Sequence, residues 1–260
     1  MIQKIIFIAA TFFLLVCSTF SVQAQRHHNT KTRNSSYNFF KRADKLTFLT
    51  GAGLSVMNSD NIARGYRSDI GLMKGNGYGP TVSLGAMYQL SPFFGVLGTA
   101  EYVGFKGSQD EARYVPEHSF TFESDVFSAS GAVVMNLANR NMLSRLYSPR
   151  FRGAVVVPYL KAGFGLMRFS ASSFAEGHGG ELAPGIDYPA IATFIPVGGG
   201  LRIRYSDQIS FAPEVTINMT STDYLDNTYE VTGWTGKNDN FVSATVKVLY
   251  TPSFNRRFVF

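Results

Sequence analysis

Residues 78–90, Tyr78-Gly79-Pro80-Thr81-Val82-Ser83-Leu84-Gly85-Ala86-Met87-Tyr88-Gln89-Leu90, fall into two sets when every second residue is taken. One set is Tyr78, Pro80, Val82, Leu84, Ala86, Tyr88 and Leu90; the other is Gly79, Thr81, Ser83, Gly85, Met87 and Gln89. A period of two is that of an extended strand, whose successive side chains point to opposite sides. Residues 209–219 repeat the pattern, with Ile209, Phe211, Pro213, Val215, Ile217 and Met219 against Ser210, Ala212, Glu214, Thr216 and Asn218. A secreted β-sandwich or lipocalin-like barrel also alternates, but turns its apolar face inward. A second face of Gly, Thr, Ser and charge suits a narrow interior better than a water-exposed surface. The apolar face is therefore expected outside, against lipid.

Reading outward from these two segments gives eight strands, near 46–57, 78–90, 94–106, 119–136, 154–170, 191–205, 208–220 and 241–250. Each matches or exceeds the roughly 9–11 residues that a tilted strand needs to cross a bilayer. The connections alternate in length. Ser91-Pro92-Phe93 and Ser206-Asp207-Gln208 are tight turns, whereas 58–77, 107–118, 171–190 and 221–240 are long and rich in Gly, Asn and Asp. Short turns on one side and long loops on the other is the arrangement of outer-membrane barrels, with the turns periplasmic. The expected fold class is all-β, an eight-stranded antiparallel transmembrane β-barrel over residues 46–250. A short extension, 251–260, follows and ends in the aromatic Phe260.

The first residues bear on compartment. Lys4 precedes an apolar run from Ile5 to Val16, and Val22-Gln23-Ala24 offers small residues for cleavage before Gln25. That is the pattern of a signal peptide over 1–24, too short and too poorly flanked for a membrane anchor. Cys17, the only cysteine, would leave with it, so no disulfide is expected in the mature chain. Val16 before Cys17 is a poor small-residue site, which argues against lipidation. Residues 25–45 read as a basic, Asn/Ser-rich periplasmic tail. No second long apolar run exists, so no helical span is expected, while sparse charge with abundant Gly, Phe and Tyr fits a membrane barrel.

Placing the small and polar face inside puts Glu101, Glu123, Asp125 and Glu214 in the lumen with Lys161, Arg202, Arg204 and Lys247. Eight strands leave an interior just wide enough for side chains to fill. Charges there must be paired, because an isolated buried charge costs several kcal/mol. The expectation is a salt-bridged plug rather than an ion path. An enzymatic reading is weak. His118-Ser119 beside Glu117 is the only tempting group, and adjacent strand residues face opposite ways. His178 stands alone in another loop, and His27-His28 has no further ligands at a telling spacing. Gly198-Gly199-Gly200 lies mid-strand, where glycine relieves crowding rather than cradling phosphate. No enzyme activity, cofactor, metal or small-molecule substrate is expected.

The net charge of +6 conceals a separation. The periplasmic side carries twelve basic residues against Asp44 and Asp207, while the four long loops carry five against twelve acids. The link 137–153 holds Arg140, Arg145, Arg150 and Arg152 without an acid, mixed with Met142, Leu143, Leu146, Tyr147 and Phe151. Arginine beside aromatics is the composition of an interface anchor, so a periplasmic protein partner is expected there. General attraction to anionic headgroups is the blander reading. Compartment, rather than charge, excludes nucleic acid.

Several segments together resemble a known family. They are Pro158-Tyr159-Leu160-Lys161-Ala162-Gly163-Phe164-Gly165, Ile195-Pro196-Val197-Gly198-Gly199-Gly200, Glu214 leading to Thr222-Asp223-Tyr224-Leu225-Asp226, and Asn238-Asp239-Asn240-Phe241. Over about residues 46–250 the chain resembles a Bacteroidetes outer-membrane β-barrel family of the DUF6089/PorG type, associated with type IX secretion. The resemblance implies a non-enzymatic accessory that sits in outer-membrane lipid and contacts periplasmic secretion-system proteins. It singles out Asp223, Tyr224, Leu225 and Asp226 as a family-motif loop. Calcium ligation and turn capping are both open to those aspartates, capping being the commoner role. A second functional reading is a general surface, adhesion or envelope-integrity barrel acting through its acidic loops.

Overall fold

The alternating segments close on themselves. A computed structural model describes residues 46–58, 77–109, 120–138, 143, 155–175, 181, 183–184, 186–206, 208–227 and 238–252. It places β1 at Leu46–Asn58, β2 at Tyr78–Gln89, β3 at Phe94–Gln109 and β4 at Phe120–Asn136. β5 follows at Val155–Ala175, β6 at Ala190–Arg204, β7 at Ile209–Thr220 and β8 at Asn240–Tyr250. Each strand pairs antiparallel with its sequence neighbour, and β1 pairs with β8 from Phe48↔Tyr250 to Asn58↔Asn240, which completes a closed barrel. The chain is an eight-stranded antiparallel β-barrel, as expected. All described residues belong to the unit Phe39–Phe260. The signal-peptide and tail segments, 1–45, and the extension beyond residue 252 lie outside the described residues.

The two ends differ as the loop lengths require. At the turn end, Ser91 Oγ accepts from Phe94 N (3.0 Å), and Ser206 Oγ accepts from Ile209 N (3.0 Å). Serine is suited to this, because its hydroxyl reaches backbone N–H groups a few residues on. At the loop end β3, β4 and β5 are long, at 16, 17 and 21 residues. The sequence reading ended β3 at 106 and β5 at 170; the strands run on to Gln109 and Ala175, because pairing with β4 continues through Gln109↔Phe120 and Phe120↔Ala175.

Glycine sets the closeness of β6 to β7. A Cβ at Gly198 would lie 2.4 Å from the Val215 carbonyl oxygen, and one at Gly200 2.3 Å from that of Pro213. Any side chain would force the strands apart, so these residues relieve crowding, as their mid-strand position implied.

The outward face is apolar over most of the wall. Leu84, Val96, Val133, Phe164, Ile195, Val215, Ile217 and Val246 are all exposed. Phe48, Tyr88, Phe94, Tyr205, Phe211 and Tyr250 ring the turn end, also exposed. Aromatic girdles flanking an apolar band are what a lipid-facing barrel requires at its interfaces. On β4 the outward apolar run extends from Met135 to Phe127, which at about 3.3 Å per residue and a tilt of about 40° covers about 20 Å.

The sense of alternation then inverts. Above Phe127 the outward positions of β4 are Asp125 and Glu123, while Phe122 and Val126 face inward and are buried. β5 makes the same change, from outward Phe164 and Leu166 to outward Arg168 and Ser170, with Met167 and Phe169 inside. On these strands the upper wall is therefore built like a soluble one, apolar inside and polar outside, on top of a section built the other way, whereas Leu54, Ile191, Met219 and Val242 keep the outward face apolar on β1, β6, β7 and β8.

Candidate functional site: a filled lumen between two rims

The interior is layered. Next to the turn end, Leu49, Met87, Leu97, Val134, Tyr159, Ala212 and Leu249 form an apolar layer. Near the loop end Met57, Val103, Phe105, Phe122, Val126, Met167, Phe169, Phe194, Leu225 and Phe241 form a second. Between them lies polar and charged material. Ser55 Oγ bonds Ser243 Oγ at 2.7 Å and also Thr81 Oγ1, and Thr99 Oγ1 bonds Ser130 Oγ at 2.8 Å.

Glu214 organises the charges. Its Oε1 lies 2.7 Å from Lys247 Nζ and 2.8 Å from Lys161 Nζ, and accepts from Thr216 Oγ1 at 3.1 Å. Tyr159 Oη donates to Oε2 at 2.7 Å. Lys247 Nζ also lies 3.6 Å from Glu101 Oε1. Two acids and two lysines thus form one neutral network, all nearly or fully buried except Glu101, whose side chain is 12 % exposed. A buried network of this kind holds only when its members are mutually satisfied.

The eight residues grouped by sequence do not stay together. Glu101, Lys161, Glu214 and Lys247 meet in one network. Arg202 and Arg204 are buried in the same lumen but nearer the turn end. The Arg202 guanidinium stands 5.9 Å from the Tyr159 ring centre and its Nη2 is 3.1 Å from Met87 Sδ; Arg204 Nε donates to the Ser206 carbonyl at 3.2 Å. Glu123 and Asp125 are not in the lumen. They face outward and are exposed, Glu123 paired with Lys106 (2.7 Å) and Asp125 accepting from Tyr102 Oη (2.6 Å). The reason is the inversion above the apolar belt, where the polar face is the outer one. The lumen therefore holds two of the four expected acids against all four bases.

The loop carrying Asp223, Tyr224, Leu225 and Asp226 forms a lid. Leu225 is fully buried in the upper apolar layer, and its N–H donates to Asp239 Oδ2 at 2.9 Å. Asn227 takes the left-handed conformation (φ 62°) and donates its N–H to the Tyr224 carbonyl, closing a turn. Its Nδ2 donates to Ser173 Oγ at 2.9 Å, while Tyr188 Oη reaches both Asn227 Oδ1 (2.9 Å) and the Tyr224 carbonyl (3.0 Å). Burial, reinforced by Asp226 and Asp239, raises the Tyr188 pKa and keeps its hydroxyl a donor. Asp223 and Asp226 are buried within this lid. Among the described residues no three His, Cys, Asp or Glu side chains are placed to share a metal ion. Leu225 and Tyr188 were not legible as lid residues, although a leucine between aspartates in a polar loop is the signal that marks it.

At the turn end, Leu143 packs against Ala138, Val155, Val157 and Phe93. The sequence grouped Leu143 with a partner-facing set; it is 1 % exposed and packs instead on the barrel, because Val155 and Val157 turn apolar side chains to the interior there. Arg140, Arg145, Arg150 and Arg152 lie outside the described residues, as do Glu117, His118, Ser119, His178, His27 and His28.

No family model matches the chain, and no curated protein matches it in sequence. Among solved structures it is similar to the N-terminal β-barrel domain of Pseudomonas aeruginosa OprF, at 9% identity and a TM-score of 0.39, covering 80% of this chain and 99% of that one. Ail, the attachment invasion locus protein of Yersinia pestis, gives 13%, 0.38, 80% and 98%. The outer membrane protein OprG of Pseudomonas aeruginosa gives 8%, 0.41, 82% and 100%.

Proposed function

We propose that the protein is a bilayer-inserted outer-membrane barrel that works as a docking scaffold, not as a pore or an enzyme. One observation carries this reading: an outward apolar belt encircles a lumen that is filled with interlocked side chains. A wall of that composition is unfavourable in water and favourable in hydrocarbon. With the lumen occupied by its own side chains, function falls to the two rims. The basic turn side is the better candidate. Leu143 fastens the middle of the arginine-bearing link to the barrel, and the resemblance to the DUF6089/PorG type supplies a partner class. On this reading the protein is an accessory of a type IX secretion apparatus, and Arg140, Arg145, Arg150 and Arg152 engage a periplasmic component.

The test is affinity recovery from solubilised native membranes, comparing wild type with a variant carrying Gln at those four positions. Loss of specific periplasmic partners from the variant, with the barrel still heat-modifiable on gels, is the expected result. Equal recovery from both would overturn the arginine docking. A second reading, an adhesion or envelope role through the acidic loops, draws support from the projection of β3–β5 beyond the belt. Protease shaving of the loops that abolishes surface attachment while leaving secretion intact would favour it.

A further inference from the structure

The outer wall is uneven in a way that points to a ligand. Among the described strand residues, every outward-facing charge lies on three adjacent strands: Lys106 on β3, Glu123 and Asp125 on β4, and Arg168 on β5. The outward faces of β6, β7, β8, β1 and β2 carry none. Lys106 and Glu123 pair with each other, and Asp125 takes the Tyr102 hydroxyl. Arg168 is exposed and has no such partner among the described residues. It stands where the outward face of β5 changes from apolar to polar, one outward position above Leu166, which is the level of the hydrocarbon boundary.

Below Arg168 the wall is hollowed. Two rows cross the strands in register, Leu84–Ala100–Ala129–Leu166 and Ala86–Gly98–Gly131–Phe164. A Cβ at Gly98 or Gly131 would meet nothing within 4 Å, so bare backbone faces outward at the centre. Leu84 stands on one side and Phe164 and Leu166 on the other, leaving a shallow apolar trough between. A trough at hydrocarbon depth headed by an exposed guanidinium with no partner among the described residues is the complement of one kind of molecule, an acyl chain joined to an anionic phosphate. A soluble anion would leave the trough empty, and a neutral lipid would leave the charge uncompensated.

We infer that this β2–β5 panel binds a single lipid bearing an anionic phosphate, in the leaflet nearest the long loops, with an acyl chain in the trough and the phosphate on Arg168; phosphatidylglycerol serves as the probe of that chemistry. The inference rests on the bilayer-inserted reading. The experiment separates the two. The refolded mature barrel is inserted into vesicles of equimolar phosphatidylglycerol and phosphatidylcholine with matched chains, extracted in mild detergent, and its retained lipid read by native mass spectrometry. Failure of the wild type to insert would overturn the membrane reading itself. After insertion, the expected result is retained phosphatidylglycerol enriched about fivefold over phosphatidylcholine, the contribution of one favourable cation. Arg168→Gln should abolish the enrichment, while Lys106→Gln, whose ammonium is already paired, should keep it. Gly131→Leu, which fills the trough, should lower retention of both lipids. Added inorganic phosphate should not displace the lipid. Enrichment that survives Arg168→Gln, displacement by inorganic phosphate, or equal retention of the two lipids by the wild type would overturn the inference while leaving insertion standing.

Discussion

Glu214 receives four donors, two of them ammonium groups, in a lumen with an apolar layer towards each end. Removing its charge would not remove theirs. In Glu214→Gln, Lys161 and Lys247 would be left with Glu101, which is 3.6 Å from one of them. Breaking a buried pair by deleting one partner costs about 3–5 kcal/mol, whereas exchanging the whole set for apolar residues of similar volume is often neutral. The expected outcome is a matching loss of unfolding free energy for Glu214→Gln, measured by reversible urea unfolding in lipid vesicles. The joint variant Glu101→Leu, Lys161→Met, Glu214→Leu, Lys247→Met and Tyr159→Phe should recover most of it. A single Glu214→Gln variant as stable as wild type would show that the network does not hold the interior. Close packing bears on the same residues: a Cβ at Gly51 would lie 2.6 Å from Lys247 Cγ, so the lysine reaches Glu214 across a bare backbone.

At the scale of the strand, β4 carries the information that decides where the outward apolar belt ends. Its outward residues run Met135, Val133, Gly131, Ala129, Phe127, then Asp125 and Glu123. Arginine placed on this face should cost about 2–4 kcal/mol near the bilayer midplane and about 0–1 near the interface. Ala129→Arg and Gly131→Arg should therefore destabilise most and Asp125→Arg least, read from the same unfolding measurement. A flat profile along β4 would deny that the belt meets lipid. This strand also marks the limit of what sequence could tell. β2 and β7 alternate with bulk outside over their whole length, so their faces were legible. β4 passes midway from an apolar to a polar outer face and exchanges the two senses of alternation. Period two gives the strand without saying which face is inside, and a single assumption for the whole strand put Glu123 and Asp125 in the lumen. The Glu101–Lys161–Glu214–Lys247 set was legible because all four lie within the belt. The lid was not, because Leu225 and Tyr188 come from loops with no periodicity, and their partner Ser173 belongs to another strand.

For the whole molecule, the consequence of layering is redundancy against leakage. An ion crossing the barrel would have to pass the phenylalanine-rich layer under Leu225, then the serine and threonine belt, then the Glu214 network, then the layer of Leu49, Leu97 and Leu249. Each apolar layer demands that the ion shed its hydration, and the charged layer offers no vacant site because its members are bound to one another. Removing one barrier leaves the others. The wild-type protein in planar bilayers should therefore show no steady conductance steps, and Leu225→Ala should show none either, although its lid loses buried contacts worth about 2–5 kcal/mol. That variant should instead reveal itself by faster proteolysis within residues 221–239, because the loop is held down by the leucine it inserts. A lid acting as a lone gate predicts the opposite pairing, with current appearing in Leu225→Ala at once. Recording conductance and proteolysis on the same preparation distinguishes the two, and stable wild-type currents would refute the filled-lumen scaffold altogether.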